Sequence, residues 1–301
     1  MNKNRICIYD TTLRDGAQAE GVTFSPSSKI QVAQMLDSFG VDYIEGGYAA
    51  SNPKDMAFFK EIKNAGLKHA KIAAFGSTRR ANTNIEEDKG AKALIEADTP
   101  TCTIFGKSWL LHVEEVLKTT AEENLLMIED TCRFLKQHHK EVIYDAEHFF
   151  DGYKDNPEYA LKTLSAAQQG GADILVLCDT NGGCLSHEVF EITTQITNIY
   201  DLPIGVHTHN DSDTGVANAM ESLRAGAMHI QGTMNGFGER CGNCNLISVI
   251  ANIIQKTDYT CLMDPSNLKN LKSVSKFINE QANLRDNQRA PFVGESAFAH
   301  K

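Results

Sequence analysis

Eight short apolar runs alternate with amphipathic helical segments along this sequence, and polar residues cluster just after the runs. Such alternation is the signature of parallel strands built from βαβ units, and the repeats fill about the 250 residues that a closed α/β barrel needs. The predicted class is therefore α/β, a (β/α)8 TIM barrel with a short helical C-terminal appendage. The barrel is expected over residues 1–260. Residues 261–301 are expected to begin a C-terminal subdomain or linker that is truncated here.

In chain order the strand-like runs are Arg5 to Tyr9, Tyr43 to Gly46, Lys71 to Phe75, Thr101 to Phe105, Glu141 to Ala146, Ile174 to Cys178, Ile204 to His207 and His229 to Thr233. Between the first two, Ile30, Val32, Ala33, Leu36 and Phe39 recur at helical spacing from Ser28 onward, and Gly40 supplies the stop. Pro157, Leu161, Leu164 and Ala167 mark another helix, ended by Gly170 and Gly171. Asp213 to Met220 opens like a capped helix, and Leu246 to Ile254 is the last helix of the barrel. Beyond it, Leu268, Leu271, Val274, Phe277 and Ile278 predict a single helix from Asp264 to Leu284, followed by a loop from Arg285 to Lys301.

Composition excludes several functions. The 301 residues carry a net charge of −10, against a phosphate-backbone partner. No apolar run approaches the roughly 20 residues of a membrane span, and the polar start Met-Asn-Lys-Asn-Arg lacks a signal peptide's apolar core. A cytoplasmic protein without nucleic-acid or membrane partners is expected. Eight scattered cysteines argue against a disulfide framework, and Cys241-x-x-Cys244 has no second CxxC to complete a zinc ribbon. No G-x-G-x-x-G follows the first strand, which weakens a dinucleotide-binding reading.

Barrel enzymes carry chemistry on the loops after the carboxyl ends of the strands. The most informative of these stretches is HTHND, His207 to Asp211. Residues two apart in a strand project from one face, so His207 and His209 can aim two imidazoles at one point. Asp15 after the first strand and Asn243 after the eighth add a carboxylate and an amide oxygen. These four make an N/O ligand set for a divalent metal (Zn, Mn, Mg or Co), leaving positions open for substrate. Taken singly, Asp15 reads as a turn residue, Arg14 as half of an ion pair and Glu147 as a solvent-facing acid; their clustering at one mouth favours function.

The motifs YDTTLRDGAQAEG, EGGY with SNPKD, AAFGSTRRA, DAEHFFDGY, CDTNGG, HTHND, GERCGNCNL and VGESAFAH together resemble the isopropylmalate and homocitrate synthase family of metal-dependent DRE-TIM lyases. The resemblance spans essentially the whole chain, and DTNGG and AEHFFDGY tilt it toward the citramalate-forming branch. It implies condensation of acetyl-CoA with pyruvate, then thioester hydrolysis. It also implies a role for Arg14 at the oxygen that becomes alkoxide, for Thr180 at the keto-acid carboxylate and for Glu147 in proton transfer or steering of the acetyl group. Gln18 and Glu45 are expected in pocket or supporting roles. A homodimer is implied as well.

In that family the group that deprotonates the acetyl methyl matches a histidine beyond a segment like AFAHK, so the role is not transferred to His300. Weak turnover and insensitivity to isoleucine are expected of the chain as it stands. Other chemistries share these ligands: a sister synthase taking a larger 2-oxo acid, or a lyase or aldolase running in the cleavage direction. The full AAFGSTRRA and GERCGNCNL wording favours a synthase. A barrel kept only as a scaffold would lack the ligands.

Overall fold

The computed structural model describes residues 4–51 and 53–299; His300 lies outside them. Eight parallel strands close into a barrel in chain order: β1 Cys7–Asp10, β2 Tyr43–Tyr48, β3 Lys71–Ser77, β4 Thr101–Lys107, β5 Glu141–Glu147, β6 Ile174–Asp179, β7 Ile204–Thr208 and β8 His229–Gly232. Ladder pairing of β1 with β8, Cys7 opposite His229 and Asp10 opposite Gly232, shuts the sheet. The predicted class is the observed one.

Alternation along the strands separates two cores. Outward-facing residues such as Ile8, Ile44, Ile104, Leu177 and Val206 pack against the helices, whereas Tyr9, Tyr43, Ala73, Ile143, Val176 and Cys178 fill the barrel interior. Helix starts and stops follow local chemistry. Ser25 accepts from the Ser28 amide (3.0 Å) ahead of Pro26, and Gly40 ends that helix at φ 104°, where a Cβ would sit 2.8 Å from Met263 Cα. The helix opened by the HTHND loop runs Gly215–Arg224. Its first amide is taken by the Asn210 side chain (3.0 Å), and Asp213, at φ 58°, does not cap it.

Several boundaries differ from expectation. Most strands run one or two residues further toward the mouth, because Lys107, Glu147 and Asp179 stay in the ladder although they are polar. β1 instead begins at Cys7, Arg5 making only an isolated bridge to Thr260. The single helix expected over 264–284 is two pieces, a 3-10 turn Pro265–Asn270 and an α-helix Leu271–Gln281. Asp264 caps Ser266 N (2.8 Å) and Pro265 has no N–H, so the tighter turn forms first. Leu271, Val274 and Ile278 seat the α-helix on the barrel, and Asn235 Nδ2 ties it to the loop after β8 by donating to Ser275 O (2.9 Å) and Asn279 Oδ1 (2.8 Å).

Candidate active site

The loops at the strands' carboxyl ends enclose a cavity of about 490 Å³, within the usual range for small-molecule sites. Arg14, Asp15, Gln18, Glu147, Thr180, His207 and His209 all line it. Glu45 and Asn243 do not. Both are buried in its supports, Glu45 beneath Arg14 and Asn243 beside His209.

His207 is the fourth residue of β7, and His209 continues in extended backbone, so the two-residue spacing brings their ring centroids to 5.2 Å. Ligand atoms of Asp15, His207 and His209 lie within 4.8 Å of one another, all three residues buried. Asp15 sits at the cap position of the turn Gly16–Gln18, yet its carboxylate makes no capping bond there. It turns to His207 Nε2 (3.2 Å) and Arg14 Nη1 (3.5 Å).

Asn243 is brought to this group by the β8 loop. It pairs with His209 in an isolated antiparallel bridge, flanked by Asn210 N donating to Gly242 O (2.9 Å) and Cys244 N to Thr208 O (2.8 Å). Gly242 is required at φ 91°, since a Cβ would lie 2.1 Å from Gly236 O. The Asn243 amide donates to Phe237 O (3.0 Å), while its Oδ1 and His209 Nδ1 are buried with no hydrogen-bond partner. Buried acceptors are normally satisfied. Acceptors left open beside a carboxylate and a second imidazole fit a bound divalent cation.

Charge in the site supports this. Burial pushes Asp15 up, but Arg14 and the His207 hydrogen bond and charge outweigh it and hold the carboxyl far below the usual range. Burial disfavours a charged His207, yet Asp15 overcomes it and raises that imidazole. His209 is pushed down to about 3 by burial and then by His207. One imidazole thus shares a proton with Asp15, and the other stays neutral with a free nitrogen. Metal and proton compete for the same atoms.

Arg14 is held from three sides. Glu45 accepts from its Nε (2.5 Å), Asp15 flanks Nη1, and its guanidinium lies 3.7 Å over the Phe75 ring. Glu45 is fully buried and also accepts from Tyr9 OH (2.6 Å), so it aims Arg14. Thr180 Oγ1 accepts from His148 N (2.9 Å), leaving its own hydroxyl hydrogen to point elsewhere. Glu147 forms an ion pair with Lys107 at the end of β4. Sequence reasoning missed Lys107, which lies forty residues from its partner. It also missed Gln231, which accepts from His207 Nδ1 (2.9 Å) and donates to Asp145 Oδ1 (2.9 Å). Burial pushes Asp145 up to about 7.

The HMGL-like family matches residues 5–278. The chain belongs to the HMGL-like family. Similar curated proteins include a citramalate synthase and a homocitrate synthase. The (R)-citramalate synthase of Aquifex aeolicus is 54% identical over 99% of this chain and 56% of that protein. Homocitrate synthase AksA of Methanopyrus kandleri is 33% identical over 99% of this chain and 71% of that protein. The chain thus spans just over half the length of the citramalate synthases it matches. The solved hydroxymethylglutaryl-CoA lyase of Pseudomonas aeruginosa shares the fold, with TM-score 0.76 at 18% identity over 95% of this chain and 96% of that one. No helix among the described residues is long and apolar enough to cross a membrane.

Proposed function

We propose that the chain is the barrel of an acyltransferase that joins acetyl-CoA to pyruvate and, on hydrolysis of the thioester, releases (R)-citramalate and CoA. The carrying observation is that Asp15, His207 and His209 bring ligand atoms within 4.8 Å of one another beside the Arg14 guanidinium in one cavity, with the unpartnered Oδ1 of Asn243 buried next to His209. Similarity to several citramalate synthases at 50–54% identity supports the choice of acids.

Asp15, His207, His209 and Asn243 would hold a divalent cation (Zn, Mn, Mg or Co), which supplies Lewis-acid polarisation of a chelated 2-oxo acid. Arg14 hydrogen-bonds the ketone oxygen as it takes up negative charge, its guanidinium already held by Glu45, Asp15 and Phe75. The Thr180 hydroxyl donates to the keto-acid carboxylate, because His148 N occupies one of its lone pairs. Glu147, its charge balanced by Lys107, orients the acetyl thioester at the opposite wall or relays its proton. Gln18 closes the solvent side. The new bond joins the acetyl methyl carbon to the keto carbon, and water then cleaves the thioester. The same reading makes the protein a cytoplasmic homodimer in a route to isoleucine. Eight unpaired cysteines suit a reducing compartment, and Phe298, 60% exposed on the appendage, suits a subunit contact.

The test follows free CoA by thiol titration with pyruvate, 2-oxoisovalerate and 2-oxoglutarate in turn. Release with pyruvate at a kcat/KM at least tenfold above the others supports the assignment. Preference for a larger acid overturns it in favour of a sister synthase.

A further inference from the structure

We infer that Asp145 and Gln231 form a directional relay that decides which nitrogen of His207 faces the site. The inference rests on the reading that Asp15, His207 and His209 hold a divalent cation. The three relay members come from three strands, Asp145 on β5, Gln231 on β8 and His207 on β7, with Gln231 directly across the ladder from His207. Gln231 is completely buried, and Asp145 and His207 are 3% and 5% exposed. Water is therefore poorly placed to replace any link.

Direction follows from what each group can donate. Gln231 Nε2 donates to Asp145 Oδ1 (2.9 Å), and at pH 8, above the value of about 7 to which burial pushes it, Asp145 is a carboxylate that only accepts. The amide oxygen then necessarily faces His207 Nδ1 (2.9 Å), which must carry hydrogen to meet it. The remaining nitrogen, Nε2, is the one 3.2 Å from Asp15 Oδ2. Nε2 shares its proton with Asp15 here, and once a cation displaces that proton its lone pair faces the site. Without the anchor at Asp145 the amide can turn over and donate to Nδ1. The hydrogen would then sit on Nε2, against Asp15, where a cation must go. Partners behind a liganding imidazole commonly set its tautomer in this way. Asp145 and Gln231 are thus positioning residues acting through His207.

Asp145→Asn keeps the volume but replaces an acceptor by a group that can donate or accept. Zinc is titrated calorimetrically into metal-free protein at pH 8, and the His207 ring is followed by long-range ¹H–¹⁵N correlation in the metal-free protein. The expected result is zinc affinity weaker by about 10- to 100-fold, with a second ring population whose hydrogen is on Nε2. Gln231→Met, read the same way, gives an independent measure should Asp145→Asn not fold. Because both act through one ring, the double variant is expected to bind no more weakly than Gln231→Met alone.

Unchanged affinity and an unchanged ring signature in both single variants would overturn the relay, as would strictly additive losses. Failure of the unsubstituted protein to bind zinc in a manner abolished by His207→Ala would instead overturn the metal reading itself.

Discussion

The two ends of the barrel handle charge in opposite ways. At the amino end, Glu141 accepts from Tyr43 OH (2.8 Å), Thr101 Oγ1 (2.7 Å) and Lys71 Nζ (3.0 Å), so its lone pairs meet donors. At the carboxyl end, ligand atoms of Asp15, His207 and His209 lie within 4.8 Å of one another, and His209 Nδ1 and Asn243 Oδ1 meet no donor. A satisfied network stabilises the fold, whereas clustered acceptors cost stability unless a cation joins them. The first end closes the barrel; the second fits the proposed metal site.

The sharpest way to break this contrast is Asp15→Asn. Loss of a liganding charge worth several kcal/mol in the transition state is expected to lower kcat/KM by about 10³ or more. The thermal midpoint of the metal-free protein should change by no more than a few degrees, and a large destabilisation would place Asp15 with the structural end instead. A smaller effect is expected from Glu45→Gln, which loosens Arg14 without touching the cavity. Misplacing such a group typically costs about 10² in rate, to be seen as a fall in kcat/KM with metal affinity intact. Parallel losses of both would show that Glu45 serves the fold.

The smallest effect belongs to the amino end and is a pH dependence. His229 is fully buried between Tyr9 and Tyr43 with neither ring nitrogen partnered, and burial pushes it down to about 3. Its depressed value means that the unfolded chain takes up the proton first. Its contribution to stability is complete above pH 6.5 and is lost as pH falls toward 3. The slope should be on the order of 1 kcal/mol per pH unit below 6.5. Urea unfolding at pH 7 and 5.5 is expected to show a shallower slope for His229→Leu than for the unsubstituted chain; equal slopes would rule His229 out as the source.

Much of the barrel is legible in sequence because its strands carry short apolar runs, such as Ile174 to Leu177, buried on both faces. The strand ends are less so. Lys107 and Glu147 are polar, and hydropathy cannot tell a residue leaving a strand from one pointing into the mouth. The C-terminal helix is shorter than its spacing predicts for a related reason: Leu268 keeps helical spacing, but the backbone around Pro265 takes the tighter turn. At the site, Asp15, His207 and His209 could be read from local spacing and position after a strand. The link between Gln231 and Asp145 could not, since eighty-six residues separate them and only barrel closure joins them. Glu45 was legible as belonging to the site, but its place under Arg14 depends on the pairing of β1 with β2.

The most direct test of the central claim is a calorimetric titration of pyruvate into metal-free and zinc-loaded protein, with His207→Ala alongside. Binding that requires both zinc and His207 is the predicted result. Equal pyruvate binding with and without zinc, or binding unaffected by His207→Ala, would contradict it and return these acceptors to a structural role.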